Sequence, residues 1–317
     1  MGGSARYRFG KKLDKLQQKY GEGYSSNPDY QRELQEARQK YAEQRMGEIE
    51  RAAARKQGDR QNTGPYSENY SQERMDQAIY ANHDQKLMID DLLRGDTEKW
   101  WAKISEDEQI AAYDYTGDYY DYINKMLGGA VNPIDIDDAN VDRINYLTDA
   151  LEKSEITEDM WVRRGVSNSH IARLVGFNRE DAKHVSPEQV ITELTKAINN
   201  GKIMDIANFM STSAVQKSGF TDTFEMKIFV PKGSKGVYAE PFSAHGILSG
   251  SGTLWDGKEE QSQFGDEFEI ILQRGYKLKP IAFNRNEGKA GKGQIVFMIV
   301  GKDTKPYVKP EVDWNNI

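Results

Sequence analysis

Two glutamates separated by one residue stand directly before a short aliphatic run. They are Glu267 and Glu269 in the sequence FGDEFEIIL, whose last six residues predict a buried β-strand. Side chains at positions i and i+2 of a strand share a face, so both carboxylates would lie side by side, with Phe268 on the opposite face. Because neighbouring like charges repel, the pair indicates either a solvent-facing edge of an antiparallel sheet or two carboxylates that face a ligand.

Two other motifs place polar side chains on predicted strands. The sequence WVRRGVS carries Arg163 and Arg164 at a strand end, and FMSTS places Ser211, Thr212 and Ser213 along another strand. A guanidinium binds anions through its charge and forked hydrogen bonds, and a hydroxyl can both donate and accept. Each motif alone is also typical of a sheet edge, where arginine, serine and threonine side chains are commonly exposed to solvent.

Metal, thiol and phosphate-loop chemistry have little support in the sequence. The chain has no cysteine, which excludes disulfides and thiolate nucleophiles. Its four histidines show no spacing typical of a metal-ligand pair. The segment GKAGKG at 288–293 lacks the phosphate-loop spacing and predicts a hairpin loop, and DIDD at 135–138 is typical of a helix N-terminus. We therefore expect no bound metal.

The elements that must position these residues are helices in the middle of the chain and strands toward its end. Amphipathic segments predict helices at 104–116, 117–129, 137–153 and 185–201. The last of these has Ser186 as its N-cap, Pro187 at the first helical position and Gly201 after its end. Strand patterns occur at 160–166, 206–213, 224–230, 236–240, 267–272, 276–283 and 294–300. This order predicts an α+β fold with mainly antiparallel sheets.

Residues 1–85 differ from the rest and predict a charged helical arm that ends in a polar linker. Residues 27–62 are rich in good helix formers, but their apolar positions form only one narrow stripe. Such a helix buries little surface alone, so it needs the body, a second copy or a larger assembly as its partner. A disordered leader is the alternative. We divide the chain into this arm, which docks a partner or assembly, and a body at 86–317.

The charge of the chain is uneven. The 317 residues carry a net charge of −7, but residues 1–80 hold 15 Lys/Arg against 12 Asp/Glu and the remainder holds 28 against 38. An acidic body argues against direct nucleic-acid binding. No apolar run is long enough to predict a membrane span. The N-terminal sequence MGGSARYRFGKKLDK has no apolar core, so we expect no secretion signal.

Taken in order, the three motifs resemble those of the Arg–Ser–Glu class of mono-ADP-ribosyltransferases, which includes exoenzyme toxins and related phage-encoded enzymes. VRRGVS resembles the arginine-bearing first strand of that family, FMSTS its S-T-S strand and DEFEIIL its E-x-E strand. The preceding DEQIAAYDYTGDYYDYINKML is similar to the family's leading helices. The resemblance covers roughly residues 90–310, and it implies two packed, mainly antiparallel sheets that form an NAD cleft beside an N-terminal helical lobe.

The resemblance also implies an activity, with NAD as a substrate and no metal. The enzyme would cleave the bond between nicotinamide and ribose and transfer ADP-ribose to a protein. Glu269 would stabilise the oxocarbenium-like state and hydrogen-bond the nicotinamide ribose. Glu267 would contact the acceptor and take its proton. A glutamate at this upstream position accompanies arginine acceptors in the family, so the resemblance favours arginine.

Further residues of the implied site contact NAD. Aligning the family's aromatic-Arg-Gly motif with VRRGV places its arginine at Arg164, directly before Gly165, and Arg163 then replaces an aromatic residue. Only one of these neighbours can point into the cleft, and the alignment favours Arg164. Ser211 would position Glu269, with Thr212 and Ser213 supporting the strand. Phe220 is a candidate to stack on nicotinamide or, equally, a core anchor.

The loop before Glu267 and the N-terminal arm bear on partners. The loop would recognise the acceptor, with Trp255 or Phe264 meeting the target protein, and it is longer than is usual in the family. The resemblance suggests a phage-encoded, virion-packaged enzyme that acts on proteins in the cytoplasm of a bacterial host, with residues 1–85 as the virion contact. The alternatives are a virion structural or interaction protein built on a transferase scaffold, and an NAD glycohydrolase.

Overall fold

The computed structural model describes residues 64–216, 221–246, 251–257, 267–288 and 292–311, and positions 15, 19–20, 28–30, 32–33 and 36 before them. Phe220 and Phe264 lie outside the described residues, as does most of the predicted arm. The chain divides into two compact units, residues 1–61 with 105–107 and residues 62–104 with 108–317. Every strand described below belongs to the second unit.

A group of helices precedes the sheet. These helices are α1 (Gln72–Gln77), α2 (Lys86–Trp101), α3 (Glu106–Thr116), α4 (Tyr119–Leu127) and α5 (Asp138–Glu152), with short 3-10 helices at His83–Gln85 and Pro133–Asp135. Helix α5 begins where the Asp137 side chain accepts a hydrogen bond from the Asn140 amide. Aromatic side chains hold α2 against the segment after Tyr238, because Trp101 stacks on Phe242 at 4.9 Å between ring centroids. No described helix is long and apolar enough to cross a membrane.

The strands and the remaining helices follow in chain order. The strands are β1 (Met160–Val166), β2 (Met204–Ile206), β3 (Met210–Ser213), β4 (Phe224–Val230), β5 (Gly236–Tyr238), β6 (Glu269–Leu272), β7 (Tyr276–Asn284) and β8 (Gln294–Lys302). Helices α6 (Asn168–Val175), α7 (Arg179–His184) and α8 (Pro187–Asn199) lie between β1 and β2, and α9 (Thr253–Asp256) lies between β5 and β6. Helix α8 has the predicted Ser186 cap, completed into a capping box by Gln189.

The predicted α+β fold with mainly antiparallel pairing is confirmed, but the predicted pair of sheets is one sheet. Its eight strands run in the order β2-β7-β8-β4-β1-β3-β6-β5. Among the described strands, β4 and β8 form the one parallel pair. The two groups of strands join at β1 and β3 through the single pair Arg163 and Ser213. Strand periodicity shows which faces are apolar but not which strands are neighbours, so this junction has no signal in the sequence.

Both faces of the sheet are covered. Apolar side chains of β1, β4 and β8 pack with helices α6 and α8 on one face, where Val162, Ile171 and Leu194 are fully buried. On the other face Trp161 and Phe229 pack with Tyr70 and Met75 from the segment before α2. Residues 64–85 therefore contact the sheet directly, and the division of the chain at residue 85 stays a prediction.

Candidate active site

Glu269 is the first residue of β6, and its carboxylate is buried. Only 6% of the residue is exposed, and it pairs with Ser213 across the sheet. Burial and the neighbouring Glu267 charge raise the pKa of Glu269 to about 8. A side-chain hydrogen bond with Ser211 and the charge of Arg164 act in the opposite direction. The sheet register explains the Ser211 contact. Ser213 pairs with Glu269, and Ser211, two residues earlier on the same strand, points to the same face.

Glu267 does not continue this strand, and the side-by-side arrangement expected from the sequence needs correction. The strand begins at Glu269, and Phe268 has a φ of +42° while its ring is fully buried. A non-glycine residue in this left-handed region is uncommon and carries backbone strain. The burial of the Phe268 ring accounts for the change, since it fixes the residue in the core while the chain turns. Burial raises the pKa of Glu267, and the charge of Glu240 raises it further, while His245 lowers it.

The two neighbouring arginines point to opposite faces of the sheet. Arg163 is 1% exposed and donates from Nε to Glu225 Oε2 at 3.0 Å, on the face with Trp161 and Lys227. Gln294 donates to the other oxygen of the same carboxylate at 2.7 Å. Arg163 is therefore paired with Glu225 in a buried network, while its Nη1 has no hydrogen-bond partner among the described residues.

Arg164 is only partly buried. Its Nη1 donates weakly to the Phe209 carbonyl oxygen at 3.5 Å, and its charge lowers the pKa of Glu269. Gly165 pairs with Glu225 of β4. Ser211 and Arg164 thus both act on the Glu269 carboxylate, whereas the Arg163 guanidinium is paired with Glu225.

The three hydroxyl residues of β3 have different partners. Thr212 Oγ1 donates to the Ile270 carbonyl oxygen at 2.8 Å, and Ser213 Oγ donates to that of Val215 at 3.1 Å. Both contacts hold the backbone of the strand and its exit. Ser211 is the hydroxyl that contacts the Glu269 side chain.

Sequence reasoning missed a group of cations beside Arg164. Helix α6 carries His170 and Arg173, and α7 begins with Arg179. Burial and the charges of Arg164 and Arg173 lower the pKa of His170 to about 3, so this imidazole is neutral. Burial and the Arg179 charge lower the pKa of Arg173. These residues follow the β1 motif by up to fifteen positions in no recognised pattern, and only their basic character was visible in the sequence.

None of these three arginines pairs with a carboxylate in the part of the chain that the structure describes. Arg164 contacts the Phe209 carbonyl, and Arg179 donates to the Gly129 carbonyl oxygen at 2.6 Å. Arg173 has no hydrogen bond or ion pair among the described residues. Half-buried cations without counter-ions favour a bound anion, and adjacent guanidinium groups suit a phosphate or pyrophosphate.

A third buried carboxylate, Glu240, was also missed. It is 2% exposed, follows β5, and its charge raises the pKa of both Glu267 and Glu269. A charged residue within the apolar sequence VYAEPF was the available signal. Among the described residues, no group of three or more His, Cys, Asp or Glu side chains could hold a metal ion.

Trp255 belongs to the loop predicted to recognise an acceptor. It stacks on Tyr113 of α3 with 4.4 Å between ring centroids and 7° between planes. This ring is therefore already packed against the helical group, with one face covered.

Comparison with known proteins places these residues in a family context. A family model described as ADP-ribosyltransferase exoenzyme matches residues 94–300. The epidermal cell differentiation inhibitor of Staphylococcus aureus is 26% identical over 208 residues, which cover 62% of this chain and 76% of that protein. An NAD(+)–arginine ADP-ribosyltransferase of Enterococcus faecalis is 27% identical over 147 residues, 46% of this chain and 26% of that protein.

Solved structures share the fold. C3stau2 from S. aureus, solved with NAD, superposes with a TM-score of 0.50 and 19% identity, covering 70% of this chain and 98% of that one. Plx2a, an ADP-ribosyltransferase toxin from Paenibacillus larvae, gives a TM-score of 0.50 at 17% identity, covering 71% of this chain and 99% of that one. At these identities the similarity extends to the fold alone.

Proposed function

The chain belongs to the ADP-ribosyltransferase exoenzyme family, and on that premise we propose that it cleaves NAD at the nicotinamide–ribose bond and transfers ADP-ribose to an arginine side chain of a protein. The observation that carries the proposal is the meeting of three side chains from separate strands. The buried Glu269 carboxylate receives a hydrogen bond from Ser211 and lies within reach of the Arg164 charge.

The bond that breaks joins ribose C1′ to the positively charged nicotinamide nitrogen. Its electron pair leaves with nicotinamide, which becomes neutral, and positive charge develops on the ribose as an oxocarbenium-like ion. Ionised Glu269 stabilises that charge most strongly in the transition state, so it accelerates the reaction rather than only binding substrate. Ser211 favours the ionised form and fixes the orientation of the carboxylate.

Transfer is completed when a guanidine nitrogen of the acceptor attacks C1′ and loses a proton. Glu267 is our assignment for the base that takes the proton, because its pKa is raised by burial and it follows the acceptor loop. The Enterococcus relative, named as an arginine transferase, supports the same acceptor class. Transfer to water instead would give NAD hydrolysis as a side reaction.

The pyrophosphate of NAD is assigned to the cations beside the strand. Arg164 provides one guanidinium, and Arg173 provides a second one that has no partner of its own among the described residues. Neutral His170 is acted on by both charges and can donate one hydrogen bond and accept another. Arg163 is assigned a structural role because Glu225 already neutralises it.

The test is incubation of the purified chain with adenylate-labelled NAD and agmatine, a small guanidinium acceptor. We expect labelled agmatine and released nicotinamide with the wild type, and neither with Glu269→Gln. Glu267→Gln should release nicotinamide but transfer little label. Glu98→Gln, at an exposed position of α2, is the matched control and should behave as the wild type. Absence of both products with the wild type would contradict the proposal.

The setting in which the enzyme acts is a separate proposal. We infer a phage-encoded enzyme that is packaged in the virion and acts in the cytoplasm of a bacterial host, with residues 1–85 as the virion contact. The support is the sequence resemblance to phage-encoded transferases and the helix-forming composition of that segment. Mass spectrometry of purified virions tests it, and the absence of the protein from them would overturn it.

A further inference from the structure

Glu240 is a buried carboxylate close to the site that the reaction described above does not use. The backbone amide before it, that of Ala239, donates to the Glu269 carbonyl oxygen at 2.8 Å. Glu240 therefore stands where β5 leaves the sheet, beside the point where the strand of Glu269 enters it. At 2% exposed, its carboxylate needs hydrogen bonds from the protein.

One of these hydrogen bonds closes a loop. Ser251 Oγ donates to Glu240 Oε1 at 2.7 Å, and the Gly252 amide donates to the Glu240 carbonyl oxygen at 3.3 Å. Gly246 approaches both Glu240 and Ser251. A Cβ at that position would lie 2.4 Å from Ser251 Cβ and 3.1 Å from Glu240 Oε1, so only glycine fits. We call Glu240, Gly246 and Ser251 the Glu240 clasp.

The segment after the clasp is held at a second point. The Leu254 amide donates to the Pro241 carbonyl oxygen at 3.0 Å, and Trp255 of α9 stacks on Tyr113. Residues 251–257 are thus held at two points, to the residues that follow β5 and to α3.

The charge of Glu240 also acts on the site. It raises the pKa of Glu267 and of Glu269, and burial is the largest cause in both cases. The charge of Glu240 also acts on Tyr238 of β5 and on Arg94 of α2, both of which interact with Asp90, and His245 acts on Glu267. Glu240 therefore adds negative charge beside Glu267 and Glu269.

We propose that Glu240 is a positioning and specificity residue for the acceptor step, fixing residues 251–257 through Ser251 and favouring a cationic guanidinium acceptor by its charge. This inference rests on the proposed function. The two parts of the role are separable, because glutamine keeps the oxygen that accepts from Ser251 and removes only the charge. Conversely, Ser251→Ala removes the hydrogen bond and keeps the charge.

The experiment compares Glu240→Gln and Ser251→Ala with the wild type and with Glu98→Gln. For Glu240→Gln we expect the KM for agmatine to rise about tenfold, as for loss of one nearby charge in a partly buried site. The rising limb of kcat/KM for NAD hydrolysis against pH should move to lower pH, because Glu267 and Glu269 lose a negative neighbour. A purely structural role would not move that limb.

For Ser251→Ala we expect a lower ratio of ADP-ribose transfer to NAD hydrolysis, while the pH dependence of kcat/KM for hydrolysis stays as in the wild type. Hydrogen–deuterium exchange of residues 251–257 should accelerate, since the clasp no longer holds α9. If Glu240→Gln had the wild-type KM for agmatine and the wild-type pH dependence of kcat/KM for NAD hydrolysis, the proposed role of the Glu240 charge would be overturned. Wild-type exchange in Ser251→Ala would overturn the clasp, and this readout decides it even if the wild type cleaves no NAD and the proposed function fails.

Discussion

At the scale of single residues, the site contains a carboxyl group, that of Glu269, which is largely protonated at neutral pH. Glu269 has its pKa raised to about 8 because it is buried beside Glu267, yet the proposed chemistry needs its ionised form. A substrate whose nicotinamide ring is cationic supplies the missing counter-charge. Binding and ionisation are therefore coupled, and pH reports on that coupling.

The first prediction concerns the pH dependence of NAD cleavage. The ratio kcat/KM reports ionisations of the free enzyme, so it should rise with pH and level off above about 8. Ser211→Ala should move this limb to higher pH, because the hydrogen bond that favours the carboxylate is lost. Nicotinamide release at low NAD measures it. A limb near pH 4.5, the ordinary range of a glutamate, would contradict the assignment.

The same group links pH to stability, with a definite sign. Between pH 4.5 and about 8 the folded state holds a proton on Glu269 that the unfolded state releases, so its contribution to stability falls as pH rises. We expect Glu269→Gln to be more stable than the wild type by a few kcal/mol at pH 8.5, at about 1.4 kcal/mol per unit of pKa difference. At pH 4 the difference should vanish. Urea unfolding at both pH values measures it, with Glu98→Gln as the control.

The neighbouring arginines offer a matched pair with opposite expected outcomes. Arg164→Ala should raise the Kd for NAD about 10- to 100-fold, the loss of one charge-assisted contact, with little change in unfolding. Arg163→Ala should cost about 3–5 kcal/mol of stability, because Glu225 stays buried without its partner. NAD titration and urea unfolding of both variants measure this. Equal effects of the two substitutions on NAD binding would contradict the face assignment.

At the scale of elements, the sequence predicts regular strands and capped helices well and their arrangement poorly. Strands β7 and β8 match their predicted segments closely, and α8 has its predicted cap. The predicted strand 206–213 is instead two strands, β2 paired with β7 and β3 paired with β6. The sequence of this segment fits one continuous strand. It forms two strands because its two ends pair with different strands that are distant in sequence.

The residues of the site likewise fall into those that the sequence predicts and those that it does not. Arg164, Ser211 and Glu269 were predictable because each lies in a short motif on a strand. Arg173 and Glu240 were not, since they depend on how α6 and the loop after β5 fold back on the sheet. The left-handed backbone of Phe268 was also invisible, because no glycine marks it.

The segment before α2 gives a prediction about the body of the fold. Tyr70 donates its hydroxyl to the Ile299 carbonyl oxygen at 3.0 Å, and the Met75 carbonyl oxygen accepts from Trp161 Nε1 at 2.8 Å. A chain lacking residues 1–85 should therefore be less stable than one lacking residues 1–63 by at least about 3 kcal/mol, as for loss of a large buried side chain. Equal urea midpoints would show that the segment is an independent arm.

At the scale of the whole molecule, a chain with a net charge of −7 contains arginines beside its site that have no carboxylate partner within the described ranges. The acidic surroundings disfavour a free anion, so the local cations must hold the pyrophosphate by direct contact rather than by the overall field. Recognition of NAD then depends on Arg164 and Arg173 jointly. Removal of the nicotinamide should cost less affinity than removal of either guanidinium.

Ligand-induced stabilisation of the intact chain tests how much the arginines and the nicotinamide each contribute to NAD affinity. NAD at 100 times its Kd should add about 2.7 kcal/mol to the apparent stability and raise the Tm by about 2–4 °C. ADP-ribose, which keeps the pyrophosphate, should also raise the Tm, while nicotinamide alone should not. Glu269→Gln should keep the NAD shift although it cannot cleave NAD, and Arg173→Ala should lose most of it. If Arg173→Ala showed the same NAD-induced rise in Tm as the wild type, the pyrophosphate would bind elsewhere, because loss of a guanidinium that contacts it must weaken binding.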